Sequence, residues 1–158
     1  MKMTIDMDAS KLKLPLAEYR EKMDYIIIKR LKAIGESSVK VARDLGAEYK
    51  LLSPSELERL RHVPHQPNYI DKWGNLRQSI GYLVAKDGII QSEDLRNQQA
   101  EELAYGVLTS HPVGYCLILV AGMEYAAEVS GRGYDVLDSA AINARQKFMD
   151  YCKKMFKK

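Results

Sequence analysis

The run Ile80-Gly81-Tyr82-Leu83-Val84-Ala85 constrains the fold more than any other stretch of this chain. Side chains alternate along an extended chain, so Ile80, Tyr82 and Val84 fall on one side and Leu83 and Ala85 on the other. Both sides are apolar, and a strand of this kind has to be covered on both faces. It is entered from a turn at Gly74-Asn75, two residues that accept positive φ, through the short amphipathic turn Leu76-Arg77-Gln78-Ser79. Nothing between Tyr69 and Ala85 is nucleophilic, metal-binding or phosphate-cradling, which marks the stretch as scaffold.

The chain supplies the cover. Pro15 opens an expected helix, at a position where a missing N–H is harmless. From there Leu16, Tyr19, Met23, Ile26, Ile27, Ile34, Val41, Ala42 and Leu45 recur at three- and four-residue steps, with charged residues between them. The pattern softens at Gly35-Glu36-Ser37-Ser38 and stops at Gly46. A helix of ~30 residues spans ~45 Å, so its apolar stripe either lies over its own sheet or packs partly on another subunit. Residues 1–14 alternate weakly and read as a short strand or extended arm. Ser53-Pro54-Ser55-Glu56 is a capping box that starts a short helix to about Arg61.

Lys86-Asp87-Gly88 makes a hairpin turn, with Ile89–Gln91 as the second arm. Ser92 is the expected cap of a helix carrying Leu95, Ala100, Leu103, Ala104, Val107 and Leu108 on one face. Tyr115–Ala121, the most hydrophobic run, reads as a central strand. Gly131-Arg132-Gly133 reads as a loop. Asp138-Ser139 caps a last helix with Ala141, Ala144, Phe148, Cys152 and Met155 on a shared face. Its terminal Lys153, Lys154, Lys157 and Lys158 suit the helix dipole as a solvated end or, as the other reading, touch nucleic acid. The fold class expected is α+β: a small antiparallel sheet packed by a long N-terminal and a C-terminal helix, in one domain, 1–158.

Composition narrows function. The chain is 46% hydrophobic and 28% charged, as in soluble globular proteins. Its 24 Lys and Arg against 21 Asp and Glu leave +3, too small an excess to imply nucleic acid. Cys116 and Cys152 make no disulfide framework. No window reaches the ~18 apolar residues of a membrane span, and Met1–Asp6 lacks the apolar run of a signal peptide. The expected location is the cytoplasm. His62 and His65 are spaced as a ligand pair but have no third ligand in reach, and read as surface loop histidines. Gly131-Arg132-Gly133 lacks the spacing and lysine of a phosphate loop. Ser139, Glu101-Glu102 and Glu124/Glu128 fit a cap and helix-surface carboxylates better than catalytic groups. No catalytic, cofactor or metal residues are expected, and the chain reads as non-enzymatic.

Two blocks carry a resemblance. Asp71-Lys72-Trp73-Gly74-Asn75-Leu76-Arg77-Gln78-Ser79-Ile80 resembles the Asp-x-Thr-Gly-x-Leu-x-x-Ser-Ile block of the gene-product-ten tail-component family of lambdoid tailed phages. Gly122-Met123-Glu124-Tyr125-Ala126-Ala127-Glu128-Val129 resembles that family's second block, Gly-x-x-Tyr-Ala-x-x-Val-Glu-x-Gly after a strand. Their order and separation fit, over about residues 10 to 155. Trp73 stands where the family has threonine, Ser130 where it often has glutamate, and Arg132-Gly133 replaces its Gly-Thr-x-x-x-x-Pro segment.

The resemblance implies a structural virion protein of a phage or prophage, made in the cytoplasm of a bacterial host. Its work would be tail completion or head–tail joining, with a tail-terminator-like fold. The implied partners are copies of itself in a closed ring, a hexamer among the forms, and neighbouring head and tail proteins. DNA is a weaker partner, through the basic C-terminal helix of the alternative nucleic-acid-associated reading. Gly74, Leu76, Ser79, Gly122 and Tyr125 are the positions expected to shape the fold, and the loop at Arg132 is where partner contacts are expected to differ. Trp73 is either a contact anchor or packs on its own helix. The Ile80–Gln91 hairpin is the expected edge for meeting a neighbour.

Overall fold

In the computed structural model of the chain, residues 9–45, 47–48, 55, 69–71 and 73–155 are described, with 9–14, 47–48 and 70 described by backbone alone. The elements run α1 (Ala9–Leu45), β1 (Ala47–Glu48), β2 (Ile70–Asp71), α2 (Asn75–Ser79), β3 (Ile80–Lys86), β4 (Ile89–Asp94), α3 (Gln98–Thr109), β5 (Tyr115–Ala121), α4 (Ala126–Gly131) and α5 (Asp138–Met155). The class is α+β, as expected. Three layers form: α1 with α5, then the antiparallel sheet β4-β3-β5, then α3. A parallel pair, β1 with β2, stands apart from that sheet.

The two-faced strand is β3, and both of its faces are covered. Ile80, Tyr82 and Val84 pack with Leu31, Val39 and Ala42 of α1 and Ala140 of α5. Leu83 and Ala85 pack with Ala100, Ala104 and Leu108 of α3. The turn after β3 is the primed type expected of Asp-Gly, with φ of 51° at Asp87 and 76° at Gly88. A third core, of Tyr69, Leu76, Ala126 and Val136, gathers α2 and α4 at one end of the sheet.

Several sequence expectations are corrected. Helix α1 begins at Ala9, so residues 9–14 are helical and Pro15 sits inside the helix. The residues before it, Ala9-Ser10-Lys11-Leu12-Lys13-Leu14, are mostly good helix formers, and proline so near the start removes only one ladder bond. The helix also passes unbroken through Gly35–Ser38. Packing decides this: a Cβ on Gly35 would lie 2.6 Å from Tyr82 Cδ2, so the glycine is what lets α1 approach β3. Ser38 is buried there and Ser37 Oγ donates to the Ile34 carbonyl at 2.9 Å.

Strand β4 runs on to Asp94, and Ser92 pairs with Val84 in the sheet and caps no helix. A bulge between Val84 and Ala85 shifts the register. Gly81 makes the extension possible, since a Cβ there would fall 2.3 Å from the Asp94 carbonyl oxygen. The cap of α3 is Asn97, whose side chain accepts the Ala100 N–H at 2.8 Å. At α5 the capping acceptor is Asp135, which takes the Ser139 N–H at 3.1 Å. Ala140 and Ala144 are the buried residues of that helix, while Ala141 is exposed. Helix α4 includes Gly131, so the expected loop starts only at Arg132.

The largest correction concerns Tyr115–Ala121. Among the described residues it is an edge strand, and β3 is the central one. Its apolarity comes from being covered on two faces, by α3 against Ile118 and Val120 and by the α1–α5 layer against Leu117 and Leu119. Face coverage and strand order are separate properties, and only the first is written in an apolar run. The N-terminal residues 1–8, the capping box apart from helical Ser55, His62, His65, Lys157 and Lys158 lie outside the described residues.

Candidate functional site

The two edges of the sheet differ in kind. An edge strand presents unpaired N–H and C=O groups, and folded proteins usually blunt it with charge, bulges or cover. Edge β4 is blunted. It carries Gln91, Ser92, Glu93 and Asp94, and the bulge lies against it. Edge β5 is not. All seven of its residues pair in unbroken register with β3, from Ile80↔Ala121 to Lys86↔Tyr115. It carries no charge and no proline, and no strand among the described residues pairs its outer side. This moves the open edge from the Ile80–Gln91 hairpin to β5.

Beside that edge lies an apolar groove of about 350 Å³, lined chiefly by Leu31, Leu117, Leu119, Leu137 and Phe148, with Arg145 at its wall. Leu117 and Leu119 are half-buried, so their inward faces are incompletely covered. On the α5 side the groove is walled by small residues, Ala141 and Ala144, beside Arg145 and Phe148.

A second apolar surface lies on α1. The helix is 37 residues long, which at 1.5 Å per residue is ~55 Å. Burial starts at Leu31 and continues through Ile34, Val39 and Ala42. Ahead of that, Leu16, Tyr19, Tyr25 and Ile26 are exposed, Tyr19 at 64% and Tyr25 at 66%. This amino-terminal half is tied to the sheet by Asp24, which accepts from both Lys86 Nζ and Tyr115 Oη. The Lys86 bond, and after it the Tyr115 bond, hold the Asp24 carboxyl below its ordinary value. Burial first and Asp24 second push the Tyr115 phenol up to about 12.

The seven residues singled out in the two blocks divide. Leu76 is buried in the third core beside Ala126. Gly74 takes φ 74° at the start of α2, and its carbonyl accepts the Gln78 N–H at 3.0 Å. Ser79 is buried, with Oγ donating to the Leu76 carbonyl at 2.8 Å. Gly122 N–H donates to the Ser79 carbonyl at 3.2 Å, which joins the two blocks directly. Gly122 also receives α3: Asn97 Nδ2 donates to its carbonyl at 2.8 Å, and a Cβ there would meet Asn97 Oδ1 at 2.2 Å. Tyr125 precedes α4, is partly exposed, and its carbonyl accepts the Val129 N–H at 2.9 Å. Trp73 is 71% exposed, and Arg132 pairs with Glu128 on the surface.

The Asp24–Lys86–Tyr115 clamp had no sequence signal, because its members come from three elements far apart in the chain. The surface's chemistry is noncovalent: apolar contact, an open row of backbone hydrogen-bonding groups, and charges at the margin. Among the described residues no group of three His, Cys, Asp or Glu is placed to hold a metal ion. No helix, among the described residues, is long and apolar enough to cross a membrane. Comparison of the chain with protein-family models, with curated proteins and with solved structures finds no match.

Proposed function

We propose that this chain is a structural subunit of a tailed-phage or prophage virion, acting at tail completion or head–tail joining as one member of a closed homo-oligomeric ring. The observation that carries the self-association is the pair of unlike apolar surfaces on one molecule. The β5 edge with its groove is concave, and the amino-terminal half of α1 is convex. A ring needs such a head-to-tail contact, because two different surfaces must meet at each junction. An amphipathic helix laid in an apolar groove is a common recognition mode, and a helix is one of the usual covers for an open strand edge. Leu16, Tyr19 and Ile26, which share a helix face, would then cover Leu117, Leu119 and Phe148 of the next copy. The phage assignment itself rests on the two sequence blocks. That reading is supported by their meeting through Ser79 and Gly122 and by Leu76 packing with Ala126.

The test is the mass of the protein in solution by light scattering across a concentration series. A discrete closed oligomer is expected, with Leu119→Lys and Tyr19→Asp each reducing it to monomer at unchanged circular dichroism. Lysine is a natural blunting residue for an edge, and its stem can follow the apolar wall while the ammonium reaches water. A wild-type protein that stays monomeric at high concentration removes self-driven ring assembly, as does an oligomer indifferent to both substitutions.

A further inference from the structure

A polar cleft lies at the Ile80 end of β3, opposite the Lys86 end where the Asp24 clamp sits, and uses none of the residues of the assembly surface. Arg43 from the last turn of α1, Arg77 from α2 and Arg96 from the segment after β4 line it with Gly74 and Gln78, around about 450 Å³. Backbone contacts fix two of the guanidiniums. Arg43 Nη2 donates to the Ile80 carbonyl at 2.6 Å, and Arg77 Nε donates to the Arg43 carbonyl at 2.7 Å. Gly74, with φ 74°, leaves that part of the wall without a side chain.

Among the described residues the charges of Arg43 and Arg96 are only partly balanced. Arg43 and Arg96 share one carboxylate: Asp94 Oδ1 lies 2.8 Å from Arg96 Nε, and Asp94 Oδ2 lies 3.8 Å from Arg43 Nη2. Arg43 Nε is buried and finds no acceptor among the described residues. A buried donor left unmade is costly, and a charged one more so. Burial, and after it the charge of Arg96, pulls the Arg43 guanidinium below the ordinary arginine value, with Asp94 opposing. Among the described residues the lining contains no apolar side chain, so an apolar ligand would gain little from them. Planar guanidiniums instead match the oxygens of phosphate two at a time.

We infer that the cleft between α1, α2 and the end of β4 is a binding site for a compact multivalent phosphate-class oxyanion, held by Arg43, Arg77 and Arg96 with the Gln78 amide as a further donor. The anion has two sources with one chemistry: a free polyphosphate, or the phosphodiester backbone of a nucleic acid. It would accept from the guanidinium groups that line the cleft and offset the repulsion between Arg43 and Arg96.

The experiment is a calorimetric titration of the full chain with pyrophosphate at fixed ionic strength. Saturable binding at a single site per chain is expected. Arg96→Gln, whose side chain is half exposed and can be lost without opening the core, should weaken it about tenfold, the loss of one charge-assisted contact. Arg77→Gln serves as the second variant, and circular dichroism checks that both remain folded. Absence of saturable binding, or wild-type affinity in both folded Arg96→Gln and folded Arg77→Gln, overturns the site. A short single-stranded oligodeoxynucleotide is then added as competitor. Displacement of pyrophosphate that weakens in Arg96→Gln identifies the phosphodiester source, and failure to displace identifies the free anion; each keeps the oxyanion chemistry.

Discussion

Asp24 illustrates how one side chain couples distant parts of the chain. It takes hydrogen bonds from Lys86 on β3 and from Tyr115 on β5, and so ties the exposed half of α1 to the end of the sheet. Its carboxyl is depressed below 3.8, so its contribution to stability is present above that value and is lost as pH falls through the lower folded value. Tyr115 works the other way. Its phenol is raised from 10.0 to about 12, so its contribution is full below pH 10 and is lost as pH climbs through 12. Tyr69 is also raised to about 12, by burial first and then by the charge of Asp71. Ultraviolet titration of phenolate should therefore show Tyr69 and Tyr115 ionising near pH 12. Asp24→Asn should bring the Tyr115 step down and leave the Tyr69 step in place. If both steps move together, the clamp is not what holds Tyr115.

At the scale of elements, the amino end of α3 and the end of β5 depend on each other. Asn97 accepts the Ala100 N–H and donates to the Gly122 carbonyl, so one amide both caps the helix and fastens the strand. Gly122 permits this because any side chain there would enter the space of Asn97 and Ala100. Replacing a capping asparagine by alanine typically costs ~1 kcal/mol, and leaving a partly buried carbonyl without its donor adds about 1 kcal/mol more. Asn97→Ala should accordingly lower unfolding stability in urea by about 2 kcal/mol. Asn97→Asp, which keeps the acceptor and loses the donor, should lose about half of that. Equal losses in the two variants would mean that the contact to Gly122 contributes all of it.

For the whole molecule, the layers divide α1 into two functional parts. Leu31, Ile34, Val39 and Ala42 belong to the core, while Leu16, Tyr19, Tyr25 and Ile26 are left to solvent in the single chain. Amide exchange should reflect this division. In dilute protein, amides from 16 to 26 should exchange early and those from 31 to 42 late, because local opening follows local burial. At concentrations where copies associate, protection should spread to the 16–26 amides and to β5 together. Protection of one without the other would break the helix-in-groove contact proposed for the ring. The same argument explains why the two edges of the sheet carry different prospects: β4 is guarded by Glu93, Asp94 and its bulge, and β5 is not.

Periodicity in the chain determines much of this by itself. The alternation in Ile80–Ala85 requires a strand covered on both sides, and β3 is such a strand. The three- and four-residue spacing from Leu16 to Leu45 requires a long helix, and the Asp87-Gly88 pair requires a primed turn. These features are local, and backbone geometry fixes them within a few residues. Strand order is not local. Tyr115–Ala121 is apolar because helices cover both of its faces, and only the packed molecule decides that it stands at an edge. Gly35 reads as a soft point in a helix and Gly81 as one position of a strand, yet each admits a neighbour from another element, Tyr82 at one and the Asp94 carbonyl at the other. The Asp24 clamp and the arginine cleft are likewise set by the third dimension, because residues 24, 86 and 115, or 43, 77 and 96, share no spacing that a helix or strand could register.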